Sequence, residues 1–218
     1  MNKIKQQPIS LPSGESGFTI IESLLAIIVV TILMIGLAPV ITLAVATRVQ
    51  AKRVEWATQA AQTYIDDVRQ APGDTEDIMV TTDPKVTAPA PPNPGNLTCD
   101  ARDYCTSPST DLYCVDGDGD GECTTGSIKD MIVQAFGYPN SALANQGYRS
   151  YQLGIRVYRA DAFDSSNSFT PGNPQSTWTG GTGLNPDQPP LFVTTTEIVV
   201  DDIQEFRELC DAASVTGC

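Results

Sequence analysis

Polar and apolar residues fall along this chain in blocks. Met1 to Gly17 is polar, and Phe18 to Thr47 follows with thirty residues and a single charge, Glu22. At ~1.5 Å per residue a helix of that length runs ~45 Å, more than the ~30 Å hydrocarbon core of a bilayer requires. It is also longer than the ~7–15-residue apolar stretch of a secretory signal. The run therefore predicts a membrane-spanning helix. Pro39 lies inside it, where a proline removes one hydrogen bond and costs ~3 kcal/mol or more in water, a break that membrane helices tolerate better.

After Thr47 the pattern turns amphipathic. Val49, Val54, Ala57, Ala61, Tyr64, Ile65 and Val68 recur at helical spacing, while Arg48, Lys52, Arg53, Glu55, Gln59, Asp66, Asp67 and Arg69 lie mostly on other faces. Pro72-Gly73 supplies a stop. One helix is expected from about Phe18 to Ala71, its first half in lipid and its second covered on one side by a globular domain. Trp56 reads either as an interfacial anchor or as a core contact. Beyond the helix, Thr81 to Asn96 holds five prolines and is expected as an exposed linker or loop. Tyr151 to Tyr158 alternates, with Tyr151, Leu153, Ile155 and Val157 on one face, and reads as a strand. Leu191 to Val200 is rich in β-branched residues and reads as another, while Ile128 to Phe136 is ambiguous between helix and strand. Asp164 to Pro190 is a long Gly-, Pro- and Ser-rich loop. Strands laid on the exposed half of a long helix make an α+β arrangement.

Charge and composition narrow the chemistry. The chain has 218 residues and a net charge of −13, and residues 71–218 alone carry 7 basic and 21 acidic side chains. Such a surface repels nucleic acid and anionic lipid heads, so nucleic acid is not an expected partner. Histidine is absent. Its absence removes Ser-His-Asp and Cys-His nucleophile systems and every imidazole metal site. No enzymatic activity is expected. All six cysteines lie after residue 98, an even number in one region, which points to disulfides and an oxidising compartment. That compartment decides an orientation that charge leaves open, since Lys3 and Lys5 precede the apolar run and Arg48, Lys52 and Arg53 follow it.

The segment Gly17-Phe18-Thr19-Ile20-Ile21-Glu22-Ser23-Leu24-Leu25, with Pro39 seventeen residues after the acid, resembles the start of a type IV prepilin or type II secretion pseudopilin. The resemblance covers about residues 14–70; the leader end, Gly14-Glu15-Ser16-Gly17, is acidic where many leaders are basic. It implies a pilin-like fold, in which the long helix packs on an antiparallel β-sheet headgroup with disulfide-bonded loops. The implied organisation is a leader at 1–17, a transmembrane and filament-core helix at 18–47, its amphipathic continuation at 48–71 and a periplasmic or extracellular headgroup at 72–218. It further implies cleavage after Gly17 by a prepilin peptidase and N-methylation of Phe18. Glu22 and Pro39 are then assembly residues, and the subunit passes from inner-membrane lipid, through an assembly platform, into a helical filament of pilin or pseudopilin subunits. Physics supports a role for Glu22. Its carboxylate can neutralise the Phe18 amine of a neighbouring subunit in an apolar core, where either charge alone is costly. The implied function is a minor pilin or pseudopilin of a pilus or of a secretion filament for protein or polysaccharide. The rival is an anchored calcium- or glycan-binding ectodomain that does not assemble.

The cysteines stand at 99, 105, 114, 123, 210 and 218, the closest spacing being C-x₅-C, too wide for a Cys₄ zinc site. Fifteen pairings are possible, and the local set Cys99–Cys105, Cys114–Cys123 and Cys210–Cys218 is the expectation. Between Cys114 and Cys123 runs Asp116-Gly117-Asp118-Gly119-Asp120-Gly121-Glu122. Alternating carboxylates with glycine at the sixth position match the first half of a calcium loop. The second half departs, because Ser127 stands at the twelfth position and Asp130 comes three residues too late. Four carboxylates in seven residues repel one another without a cation, so Asp116, Asp118, Asp120 and Glu122 are the expected calcium ligands. An ordinary polar turn is the alternative.

Overall fold

The computed structural model describes residues 19–72, 74–80, 88–92, 97–139, 149–164, 168–169 and 187–215. Helix α1 spans Ile20–Gln70 and carries Pro39 within it. Among the described residues six strands follow: β1 (Leu112–Val115), β2 (Met131–Pro139), β3 (Ser150–Arg159), β4 (Ser168–Phe169), β5 (Asp187–Gln188) and β6 (Phe192–Val199). Helix α2 (Ile203–Ala212) comes last. Residues up to Ala46 and those from Thr47 onward are two compact units. In the first, the apolar side chains of α1 from Ile20 to Val45 are exposed throughout, and the helix is long and apolar enough to cross a membrane.

The second unit is α+β. Its sheet runs in the order β1-β2-β3-β6, and every neighbour is antiparallel. Register follows from side-chain alternation. Met131, Val133 and Ala135 on β2 and Tyr151, Leu153, Ile155 and Val157 on β3 point to one face, where they meet Ala57, Ala60, Ala61, Tyr64 and Val68 of α1 in one buried cluster. Trp56 packs partly buried against this core, which makes it a core contact. Val49 is 46% exposed, so burial of the helix begins later than the periodicity predicts.

The opposite face is covered too. Leu112, Cys114, Ile132, Tyr158, Phe163 and Phe169 form a second cluster with Cys99, Cys105 and Cys123. Burial on both faces explains why β2 reads as a continuous apolar run rather than an alternation. It is a strand from Met131, and Ile128, at 60% exposed, lies before it.

The proline-rich segment corrects an expectation in part. Its described portion, residues 88–92, has no regular secondary structure, as expected, but is not wholly exposed: Ala88 and Pro91 are buried while Pro89 and Pro92 are exposed. Arg156, only 9% exposed on β3, donates to the carbonyls of Ala88 (3.1 Å) and Pro89 (2.9 Å) and lies 5.1 Å from the Phe136 ring centroid. A buried guanidinium requires such acceptors, and these two loop carbonyls supply them, Pro89 O also accepting from Gln134 Nε2 of β2 at 3.4 Å. Residues 81–87 and 93–96, and most of the long loop expected before Pro190, lie outside the described residues.

Two disulfides are as expected, Cys99–Cys105 and Cys114–Cys123. Cys210 is also disulfide-bonded, while its expected partner Cys218 lies outside the described residues.

Candidate functional site

Gly17 and Phe18 precede the described residues. What the structure adds is how the helix begins. The Thr19 hydroxyl accepts from the backbone N–H of Glu22 at 3.3 Å, and the Thr19 carbonyl accepts from Ser23 N–H at 3.1 Å. Thr19 is therefore the N-cap, and Thr-x-x-Glu is the spacing of a capping box. Glu22 falls in the first turn, where the helix dipole favours a carboxylate. The same acid that could pair with a neighbour's amine thus sits where its own helix tolerates it best. Further along, the Thr42 hydroxyl donates to the carbonyls of Ala38 (3.3 Å) and Pro39 (2.9 Å), so backbone oxygens beside the proline gain a donor in an apolar stretch.

The acidic loop is built from its own backbone outward. Asp116 Oδ1 accepts from the amides of Asp118 (3.0 Å) and Gly119 (2.6 Å), and Oδ2 accepts from Gly121 (2.9 Å). These amide donors hold the Asp116 carboxyl below its ordinary pKa, so it stays charged. Gly119 (φ 85°) and Gly121 (φ 98°) occupy the left-handed region that a side chain disfavours. Gly117 is needed for a different reason: a Cβ there would lie 2.3 Å from the Lys129 carbonyl oxygen.

That close approach is organised by Asp130, fully buried, whose carboxylate accepts from Gly117 N–H (3.1 Å) and Thr124 N–H (3.2 Å). It clamps the two ends of the turn together. Ser127 holds the middle, its hydroxyl donating to Asp118 Oδ2 at 2.7 Å while its oxygen accepts from the amides of Lys129 and Asp130. Asp130 and Ser127 were legible only as departures from a calcium loop; their role as acceptors for loop amides depends on the chain folding back.

Comparison with family models, with curated proteins and with solved structures finds no match. Function must therefore be argued from the residues. One carboxylate oxygen from each of Asp116, Asp118 and Asp120 lies within 4.8 Å of the others. Oxygens bound to one calcium at ~2.3–2.6 Å can stand up to about 5 Å apart, so the three fit a single ion. Glu122 is outside this group; it is exposed, and its backbone forms an antiparallel bridge with Asp100.

The turn is anchored to the rest of the headgroup by the disulfide loops. Cys123 N–H donates to Cys99 O (3.0 Å) and Ala101 N–H to Gly121 O (2.9 Å). From the first loop, Tyr104 enters a tyrosine cluster with Tyr113 of β1 and Tyr64 of α1. The Tyr64 and Tyr104 hydroxyls are 2.7 Å apart, the rings meet edge to face, and Tyr113 donates to Asp67 Oδ2 at 2.8 Å. Burial pushes all three phenols above their ordinary pKa. Loop and helix are thus parts of one packed unit.

Proposed function

We propose that this chain is a minor pilin or pseudopilin, a structural filament subunit and not an enzyme. It is made as a precursor, cut after Gly17 by a prepilin peptidase and drawn from inner-membrane lipid into a helical filament with its headgroup outside the cytoplasm. The observation that carries this reading is helix α1. Its apolar first half is exposed and opens on a capped Glu22, and the stripe from Ala57 to Val68 packs on a four-stranded antiparallel sheet. An exposed apolar helix with a charge at its start suits lipid first and a bundle of like helices afterwards.

The test is processing followed by assembly. N-terminal sequencing should find methylated Phe18, Gly17→Arg should leave the precursor uncut, and Glu22→Ala should insert in the membrane yet be poorly incorporated into filaments. A chain that stays full-length beside an active prepilin peptidase would return the reading to an anchored ectodomain.

Calcium belongs to the proposal as a structural ion held by Asp116, Asp118 and Asp120. Bound there, it would offset the repulsion of neighbouring carboxylates and stiffen the turn. The incomplete second half argues for affinity in the ~10⁻⁴–10⁻³ M range of extracellular modules. An ion that binds only the folded state raises its melting temperature by mass action. The full chain in detergent should melt higher in ~10 mM calcium, about ten to a hundred times such a dissociation constant, than in chelator. Asp118→Ala should abolish the difference, and equal melting of the wild type in both conditions would leave an ordinary polar turn.

A further inference from the structure

We propose that Arg48, Lys52 and Arg53 form a docking collar for the phosphates of anionic phospholipids, setting the depth of the membrane helix against an otherwise repelled acidic headgroup. The inference rests on the apolar run being in a membrane, but not on processing or filament assembly.

Placement is the first argument. Arg48 is the first charge after Glu22, directly beyond the apolar run, and Arg48 to Arg53 span about 7.5 Å of helix axis at ~1.5 Å per residue. A bilayer of ~40–45 Å with a ~30 Å core leaves a headgroup layer of about 5–8 Å on each side. The basic residues therefore fall within about one such layer. Glu22 precedes Arg48 by twenty-six residues, ~39 Å if helical throughout, which exceeds the ~30 Å core, so the span does not require either charge to lie in hydrocarbon.

Charge is the second argument. Three of the thirteen basic residues of the chain lie in six positions, while residues 71–218 carry a net −14. Arg48 and Lys52 are exposed, and among the described residues neither takes part in an ion pair. Arg53 is half-buried and within electrostatic reach of Arg159 and Asp161, which are paired with each other at 2.8 Å. Glu55 is the opposing charge on the helix itself, about 10 Å further along the axis from Arg48 at ~1.5 Å per residue. The local balance is positive at the level nearest the apolar run. Each basic residue at an anionic surface gives about a five-fold gain in association, screened by salt.

The test measures lipid selectivity of the full chain in phosphatidylcholine bilayers by electron spin resonance. Trace chain-labelled phosphatidylglycerol is compared with chain-labelled phosphatidylcholine, and the fraction of each immobilised against the protein gives a relative association constant. The wild type should prefer phosphatidylglycerol several-fold at low salt and lose the preference in ~1 M salt, where the screening length is only ~3 Å. Arg48→Gln with Lys52→Gln, both at exposed positions, should lose most of the preference, and Arg48→Lys should keep it. Lys3 and Lys5 remain in every variant, so a preference unchanged by the double substitution assigns it to them and overturns the proposal. A wild-type ratio of one also overturns it. So does a double variant that loses only association between copies of the chain, which would assign the collar to the acidic surface of a second copy.

Discussion

At the scale of single residues, the acidic turn separates two reasons for glycine. Gly119 is required by its dihedral and has open space where a Cβ would go; Gly117 is required by the nearby Lys129 carbonyl. Gly119→Ala should cost about 1–2 kcal/mol from the left-handed backbone, and Gly119→Asn should recover much of that because asparagine tolerates the region. Gly117→Ala should cost about 1–3 kcal/mol through overpacking, with no recovery by asparagine. Denaturant unfolding of the full chain in detergent distinguishes them, and equal responses at both positions would show that the Lys129 carbonyl yields. The alternation of Asp and Gly made the turn visible in the sequence. Asp130 was visible only as an acid in the wrong place for a ligand, because its partners are the amides of Gly117 and Thr124, which come within reach only once the loop closes.

At the scale of elements, the long helix and the strands β3 and β6 are legible because each has a clear period or a β-branched run. The short strand β1 and the helix α2 are harder to read. Strand β1 is four residues buried between two disulfide loops, too short for any period to show. Helix α2 does carry a signal. Asp202 accepts from the amides of Gln204 (2.6 Å) and Glu205 (3.3 Å), with Glu205 three positions on, and Phe206 and Leu209 form its buried side. This is a capping signature followed by helical spacing, hidden because it abuts the β-branched run of β6. Asp202→Ala should destabilise the headgroup by ~1 kcal/mol, whereas Asp202→Ser should be close to neutral. Amide exchange across Ile203–Ala212 would register the loss first, and unchanged protection there would remove Asp202 as the cap.

At the scale of the molecule, five of the seven tyrosines tie the part of α1 after Ala46, the disulfide loops and the sheet into one unit. Burial raises the pKa of Tyr64, Tyr104, Tyr113 and Tyr151, and pushes Tyr158 up to about 12. A phenol whose folded pKa exceeds its unfolded value of ~10 contributes stability that is complete below pH ~10 and is lost as pH rises through the folded value. Stability should therefore fall steeply between about pH 10 and 12, with these phenols ionising together as the headgroup unfolds. Absorbance of tyrosinate and circular dichroism recorded in one alkaline titration should move together. Early ionisation of all seven tyrosines with the fold intact would contradict the buried cluster.

The sequence alone determined the features that depend on neighbours along the chain. These are the length and apolarity of α1, the spacing of Gly17, Glu22 and Pro39, and the glycine-spaced acids; the local disulfides are one expectation among fifteen pairings, and the folded chain decided them. Helix period and bilayer thickness are local physics. Tertiary structure decided what depends on distant partners. It made Ile128–Phe136 a strand from Met131 onward by burying both its faces. It turned part of a proline-rich linker into a segment held by Arg156, and it selected three aspartates, not four acids, to converge. Burial and long-range hydrogen bonding set the first two outcomes, and neither is written in the order of the residues that receive them; the third is set by loop amides that reach Asp116 only once the turn has formed.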